Sequence, residues 1–422
     1  MTTMKWGEEL QVFMELGFPV NPFTLDSPTL GILNQNYLEG TLIGDDVSPY
    51  AQELSISRGR TDQLQNFNAG TMTITLSNTD RRFDPINELS PYWNPVTNNS
   101  GVEPRRKVTV VSRGVTVFVG RITDIDVSYD HRRAGSNLEN SIVNISASDD
   151  FVLLASTYIA DDITPSVELS GSRVDYILDL PEVGFGNNRD IDTGVAELGA
   201  YQIDANTNAL QYLQDIANSE QGLMYMTGDG DLRFTDRVTV TLPNISAEFA
   251  DDGTDLPYTQ LIVAYGQELL YNRVTASAGG GATQIADNVA SQEEYGISTL
   301  DLGDLLLSNS ADALALVEDL VEKYREPQYR FDHLQTIYNR LDSAEQDTVS
   351  ALEIGDVVNI TRTFPTGYPL SVTKSYQIQA VRHSISNSQH TVEFGLRYIP
   401  IAYQFILDDP TFGRLDANNV LT

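Results

Sequence analysis

The chain has no cysteine, four histidines, and only 26 lysines and arginines among its 422 residues. Without cysteine there are no disulfide staples, thiolate metal sites or cysteine nucleophiles, so stability has to come from burial, hydrogen bonding or assembly. The few bases stand against 59 acids, and the formal charge of −33 is spread along the chain rather than gathered in a tail. Such a surface favours solubility and opposes nucleic-acid binding, because duplex binding needs Lys or Arg to displace counterions from phosphates. No run approaches the roughly 20 apolar residues that span a bilayer. The opening stretch from Met1 to Leu25 carries Glu8, Glu9 and Glu15, which is wrong for a secretory or transit peptide. The expectation is a soluble protein made in a cytoplasm.

Signatures of chemistry are equally sparse. His131, His333, His383 and His390 are scattered, with no His-Glu-x-x-His helix and no Gly-x-Ser-x-Gly elbow. His383 and His390 flank the turn-like Asn387-Ser-Gln and could share a hairpin, but a metal there needs a third ligand that the sequence does not supply. The adjacent acids Asp149-Asp150, Asp161-Asp162, Asp251-Asp252 and Asp408-Asp409 do not read as general acid/base pairs. Neighbouring side chains on extended backbone point opposite ways, and glycosidase carboxylates need a separation of about 5 to 9.5 Å across a cleft. Asp190-Ile-Asp192-Thr-Gly194 and Asp229-Gly-Asp231 fall short of the calcium loop. Gly279-Gly-Gly281 lacks the Lys-Ser/Thr of a phosphate loop and reads, within Ala276 to Ala282, as a mobile loop. The expectation is a protein that is not an enzyme and has no cofactor and no metal.

What the sequence does have is enough apolar material to fold, 41% of residues, over a length that predicts roughly two to four domains. From Glu53 to Ser148 the pattern alternates: Met72, Ile74 and Leu76, then Val108 and Val110, then Val115, Val117 and Val119, with further strands at Ile122 to Tyr129 and Ile142 to Ala147 around a loop from Asp130 to Asn140. A second region from Asp149 holds a helix at about Asn208 to Ser219, capped by Asn206 or Thr207 and ended by Gly222. A hairpin follows from Leu223 to Met226 and from Leu232 to Thr235, turning through Thr227-Gly228-Asp229-Gly230. After Pro243 the alternation of Leu261, Val263 and Tyr265 predicts a strand. A long helix from about Ser310 to Arg325 carries a stripe of Leu314, Val317, Leu320, Val321 and Tyr324, ending before Pro327. The strands Leu352 to Ile360, Tyr376 to Ile385 and Thr391 to Tyr398 close the chain. The fold class is α+β, mainly β.

One stretch is more specific. Leu54-Ser-Ile-Ser-Arg58-Gly59-Arg60-Thr-Asp62, an alternating strand from Phe67 to Leu76, and Asn78-Thr-Asp80-Arg81-Arg82-Phe83-Asp84-Pro85 combine glycine, proline and charge over about thirty residues. Taken singly these are hairpin parts: Gly59 for a tight turn, Asn78 and Asp80 for a turn after a strand, Pro85 to stop the sheet. Arg81 and Arg82 are expected to pair with neighbouring acids. In combination they resemble the N-terminal signature of the baseplate or tail-tip hub (minor tail) proteins of long-tailed bacteriophages. The likeness continues more weakly in Leu210 to Asp236, Leu302 to Asn309, Leu352-Glu-Ile-Gly355-Asp356 and a tail from Leu407 to Asp416.

The resemblance implies two tail-tube-like β-barrels per chain with intervening smaller α/β domains. The expected units are 1–148 (first barrel), 149–242 (small α/β domain), 243–328 (connecting β-rich segment and long helix) and 329–422 (second barrel and C-terminal tail). It further implies a homotrimeric ring that closes the hexameric tail tube around the DNA exit channel of a siphovirus virion, since two similar modules per subunit reconcile threefold with sixfold symmetry. The implied partners are a distal tail protein ring, a tape measure protein, and tail fibres or other tip proteins. DNA would pass through the lumen during ejection without specific binding; the acidic charge itself reads either as solubility alone or as the lining of such a lumen. The rival expectations are a hexameric distal tail protein, a glycan-binding host-recognition module displaying Tyr92-Trp93, and a cell-wall hydrolase.

Overall fold

The computed structural model describes residues 6–7, 9–17, 43–60, 63–95, 97–129, 141–237, 245–399, 403–404 and 419–420. The expected loop from Asp130 to Asn140, the tail from Leu407 to Asp416, His131 and Asp408-Asp409 lie outside the described residues. Strands of three or more residues are numbered in chain order. The first seven are β1 (Leu10–Gly17), β2 (Ile43–Asp46), β3 (Ala51–Gly59), β4 (Asn68–Ser77), β5 (Lys107–Ser112), β6 (Val115–Tyr129) and β7 (Ser141–Ser148). They pair antiparallel throughout in the order β2-β1-β5-β6-β7-β4-β3.

Alternation explains one buried face in this block: Leu10, Val12 and Met14 of β1, Met72, Ile74 and Leu76 of β4, and Val143, Ile145 and Ala147 of β7 are all buried. The predicted run Val115, Val117, Val119 does not keep to one face. A register shift between Val110 and Val111 on β5 inserts an extra residue on β6, so Val117 and Phe118 are buried in succession and the inward face continues through Gly120 and Ile122.

The middle of the chain holds α1 (Phe151–Ala155), α2 (Ser170–Leu178), β8 (Arg189–Ile191), α3 (Ala209–Glu220), β9 (Leu223–Met226) and β10 (Leu232–Thr235). The hairpin β9–β10 is as predicted, with β8 added parallel to β10. Helix α3 starts one or two residues later than the predicted caps. Asn206 takes a positive φ of 68°, the Thr207 hydroxyl donates to the Asp204 carbonyl, and the Asn208 side chain therefore receives the Gln211 N–H. Gln221 adopts the left-handed conformation at its end, and Gly222 closes the helix by donating to the Ala217 carbonyl.

The remaining elements are β11 (Ile245–Ala250), β12 (Gln260–Ala264), β13 (Arg273–Ala278), β14 (Gln284–Asp287), α4 (Val289–Tyr295), β15 (Thr299–Leu305), α5 (Ser310–Tyr324), β16 (Arg330–Ile337), α6 (Ser343–Ala351), β17 (Val357–Thr363), β18 (Ser371–Ser386) and β19 (His390–Tyr398). Helix α5 packs on β13 and β14 of a small sheet ordered β14-β13-β15. The predicted mobile loop at Ala276 to Ala282 is ordered. Ala276 and Ala278 are buried in β13, Gly279 and Gly280 turn at positive φ, and Asp304 receives the Gly280 N–H at 2.8 Å. The predicted strand from Leu352 begins only at Val357, because after α6 the chain turns, with Asp356 N–H donating to the Glu353 carbonyl and Gly355 at a positive φ. The capping box of α6 joins Asp342 and Glu345 reciprocally.

A second β block runs β11-β17-β18-β19-β16-β12, with β11 parallel to β17 and the other pairs antiparallel. The two blocks are β-rich as expected, but the described strands do not close them into barrels. The reason is an exchange of edges. Along one side of β18, residues 371–377 pair with β17, and residues 380–386 then pair with β3 of the first block. The edge of β3 that would close the first block is thereby spent on the second, and one continuous fourteen-stranded sheet results.

Candidate functional site

The switch on β18 between its two partners is where the Arg58-Gly59-Arg60 turn lies. Gly59 ends β3 opposite Ala380, at a φ of 105°. A Cβ there would fall 2.2 Å from the Gln379 carbonyl oxygen, so a side chain is excluded both by conformation and by the backbone of β18. Arg60 continues past the strand. Its backbone N–H donates to the Gln379 carbonyl, its Nε to Gln379 Oε1 at 2.7 Å and its Nη1 to the Gln65 carbonyl, while its guanidinium lies 4.8 Å from the Phe67 ring centroid. Burial, with the Arg397 charge adding to it, lowers the Arg60 pKa to about 9.

Arg58, also buried, points into a third region. Its Nη1 donates to Glu353 Oε1 at 2.7 Å, and Glu353 Oε2 receives the Gly228 N–H of the β9–β10 turn at 2.8 Å. One carboxylate thus ties the first block, the middle hairpin and the approach to β17. Arg58 is desolvated while Glu353 is only half-buried, so the pair contributes more to fixing geometry than to net stability, and losing Glu353 leaves a buried charge on Arg58. Gly355 and Asp356 stand beside it. Gly355, at a φ of 95°, donates to the Ile378 carbonyl, and the Asp356 carbonyl receives the Ile378 N–H. A Cβ on Gly355 would lie 2.8 Å from the Tyr225 hydroxyl, so the chain comes this close to β9 only with glycine. The Asp356 carboxylate receives the Glu353 N–H, and burial raises its pKa against that bond.

On the hairpin partner of β3, Gly70 donates to Asp149 Oδ2 at 2.6 Å, and Asp149 Oδ1 receives the Phe151 N–H. Burial pushes the Asp149 carboxyl up to about 7, against the pull of those bonds and of Arg58. The other paired acids also hold structure: Asp150 meets Arg121 and Asn187, Asp162 receives the Ala205 N–H, Asp251 pairs with Arg362 and Thr363, and Asp252 receives the Thr254 N–H.

The remaining signature residues form a separate cluster at the other end of β4. Asn78 is fully buried; its Oδ1 receives the Phe83 N–H, and its carbonyl receives the Arg81 N–H. Arg81, at a φ of 58°, pairs with Asp84 at 2.6 Å, and Tyr129 donates to the same carboxylate oxygen. Burial opposes these bonds, yet with Ile86 N–H they hold the Asp84 carboxyl below its ordinary range. Asp80 pairs with Arg82, whose guanidinium lies 4.1 Å from the Tyr50 ring centroid. Phe83 is buried between Tyr50 and Tyr92, with ring centroids 5.5 and 5.7 Å away, and Pro85 follows Asp84 at the chain's exit from this knot. Tyr92 is thus a core residue rather than part of an aromatic shelf, while Trp93 is half-buried.

The structure therefore joins Arg58, Gly59 and Arg60 to Gly355 and Asp356 around β18, and keeps Asn78, Asp80, Arg81, Phe83, Asp84 and Pro85 apart from them. Glu353 and Gln379, which complete the joint, were not singled out from the sequence. The signals were weak: a lone Glu two residues before a glycine, and a Gln inside an apolar strand. His383 and His390 do meet, with Nδ1 and Nε2 at 3.0 Å and both rings buried, but no third His, Asp or Glu joins them among the described residues. No helix of the described residues is long and apolar enough to cross a membrane. The arrangement is that of a mechanical joint: glycine-permitted close contact between blocks, locked by buried arginines.

No family model and no curated protein matches the chain. Solved structures do match over nearly its whole length. The 43 kDa tail protein of prophage MuSo2 from Shewanella oneidensis is similar with a TM-score of 0.56 at 12% identity, covering 93% of this chain and 98% of that one. A tail protein from Neisseria meningitidis is similar with a TM-score of 0.55 at 11% identity, covering 93% and 97%. The fold of this chain is thus one found in phage tail proteins.

Proposed function

We propose that the chain is a structural, non-enzymatic component of a long-tailed phage tail, and that it serves at the tip as the hub, three copies closing the sixfold tail tube around the DNA exit channel. The observation that carries this reading is the edge-to-edge junction β3–β18, by which one polypeptide supplies two β blocks to a single continuous sheet. A subunit with two blocks offers six blocks per three copies, the number needed to meet a six-membered tube. The tail-protein fold supports the setting, and the charge of −33 suits a lumen along which DNA moves without adhering. A distal tail protein ring, a tape measure protein, and tail fibres or other tip proteins are the proposed neighbours in the virion.

The second structural reading is a hexameric distal tail protein, and stoichiometry separates the two. Native mass spectrometry of the purified chain, with cryo-electron microscopy of assembled tails, should give a trimer with threefold symmetry at the tip. Six copies per ring would sink the hub reading in favour of the distal ring. Because some rings close only on their template, the assembled tail is the deciding sample.

A further inference from the structure

The two β blocks repeat one connectivity. In the first, β3 pairs with β4, the meander β5–β6–β7 follows, and β7 returns to β4. In the second, β12 pairs with β16, the meander is β17–β18–β19, and β19 returns to β16. The registers match as well. Arg121 of β6 and Gln377 of β18 each face the first residue of the preceding strand, and one residue later each strand shifts register, between Ile122 and Asp124 and between Ile378 and Ala380. Residues 124–129 of β6 therefore correspond to 380–385 of β18. Followed through the paired strands, Leu54, Ile56, Arg58 and Gly59 correspond to Leu261, Val263, Tyr265 and Gly266.

The correspondence lacks one contact. Residues 380–386 of β18 pair with β3, whereas among the described residues 124–129 of β6 pair only with β7, and β12 pairs only with β16. Both halves of a second junction are present, and they do not meet within one chain. Their side chains are left accordingly. Leu54, Ile56, Arg58 and Ile385 are buried in the filled junction, but Val263 is 41% exposed, Tyr265 69%, and Tyr129, the counterpart of Ile385, 48%. Strand β12 reads Gln-Leu-Ile-Val-Ala, with no charge and no proline, while the free edge β2 carries Asp45 and Asp46. An uncharged apolar edge is a template for another strand, and charges on an edge deter one.

We infer that the free edge of β12 in one copy pairs antiparallel with residues 124–129 of β6 in the next copy, repeating the β3–β18 junction between subunits. The register of that junction sets Val263 opposite Val127, Tyr265 opposite Ile125 and Leu261 opposite Tyr129. Asp124 and Asp126 then meet Gly266 and Ala264, so no acid faces an acid across the seam despite the charge of the chain. The contact is heterologous, one face of a copy against a different face of the next, and it propagates around a ring. The number of copies rests on the hub reading: three would alternate three junctions within chains with three between them, linking six blocks.

Disulfide trapping tests the seam, and the absence of cysteine leaves no background. Directly opposed residues of an antiparallel pair have Cβ atoms about 4.5 to 5.5 Å apart, close to disulfide reach. Full chain carrying Val127→Cys with Val263→Cys, oxidised in assembled tails, should give a covalent ladder that ends at three copies, and neither single variant should cross-link. A ladder ending at six would keep the seam and reject the hub stoichiometry. No cross-link in assembled tails overturns the seam, and a threefold ring in the same sample would leave the hub reading standing. Dimers from Val263→Cys alone would show β12 meeting its own copy and also overturn it. As a second measurement, Val263→Lys should weaken association by about tenfold or more in native mass spectrometry, whereas Ile285→Lys, at an equally exposed site on β14, should not. Association unchanged by Val263→Lys, or weakened alike by both, rejects the inference.

Discussion

The two β blocks share a sheet but not a manner of being held. The first is antiparallel throughout and encloses its own core, running from Leu10 through Phe118 to Ala147, to which β18 adds Ile385. The second includes the parallel pair β11–β17, and its large side chains Phe249, Phe331, Tyr376 and Phe394 belong to one cluster with Ile216 of α3 and Val317 of α5. The middle of the chain is therefore not a spacer between two equal modules. It is the other half of the second block's core, and the first block is the more self-sufficient unit.

The largest expected effect comes from breaking both at once. Gly59→Val places a branched side chain where a Cβ already meets the Gln379 carbonyl at 2.2 Å and where φ is 105°. Backbone must move on one strand or the other, so a loss of about 4 kcal/mol or more in unfolding free energy, read by urea denaturation, is expected. Gly253→Val is the control: it shares a positive φ but has nothing within 4 Å of the added Cβ, and it should lose only about 1–2 kcal/mol. Equal losses would mean that conformation alone, rather than the close contact of the blocks, fixes Gly59.

Core truncation sharpens the comparison itself. Phe83→Ala in the first block and Phe394→Ala in the second each remove a buried ring and should cost about 3–5 kcal/mol. They should differ in reach. By hydrogen exchange, Phe83→Ala is expected to loosen β1–β7 while sparing α3 and α5, whereas Phe394→Ala should expose amides in α3 and α5 together with β16 to β19. Loosening confined to the second block in the latter variant would contradict the shared core.

Local pattern was legible where local physics decides. The alternation at Met72, Ile74 and Leu76, the β9–β10 turn and the stripe of α5 follow from periodicity and glycine placement alone. The α6 cap was readable too, since Asp342 and Glu345 have capping-box spacing, but the apolar residues after Leu352 drew the strand too far toward the N-terminus. What the sequence could not show were relations between distant segments. Gly59 reads as a turn glycine from its neighbours, yet its contact is with Gln379, and Arg58 reaches Glu353 across 295 residues. The bulge at Val110 and the exchange of edges on β18 likewise depend on a partner strand, and the latter is what left the expected barrels open.

The smallest effect separates the regions by pH. His383 and His390 bridge β18 and β19; burial lowers His383 to about 3, with Arg58 adding to it, and burial with the His383 charge holds His390 well below its ordinary value. In the unfolded chain both titrate near 6.5, so below that pH the unfolded state binds more protons, and the stability these residues permit is lost as pH falls from 6.5 toward 3. Asp149, at the junction of the first block and α1, has the opposite sign. Its carboxyl is raised from 3.8 to about 7, so the folded state holds the extra proton, and that stability is present at acid pH and lost as pH rises through 7. Urea midpoints measured across this window should therefore rise more steeply with pH in Asp149→Asn than in the parent, and less steeply in His383→Gln. Parallel profiles for all three would mean that neither group changes its proton occupancy on folding. A reversed order would mean that the histidines, rather than the carboxyl, carry the extra proton in the folded chain, and the His383–His390 contact would then be a hydrogen bond from an imidazolium to a neutral imidazole rather than one between neutral rings.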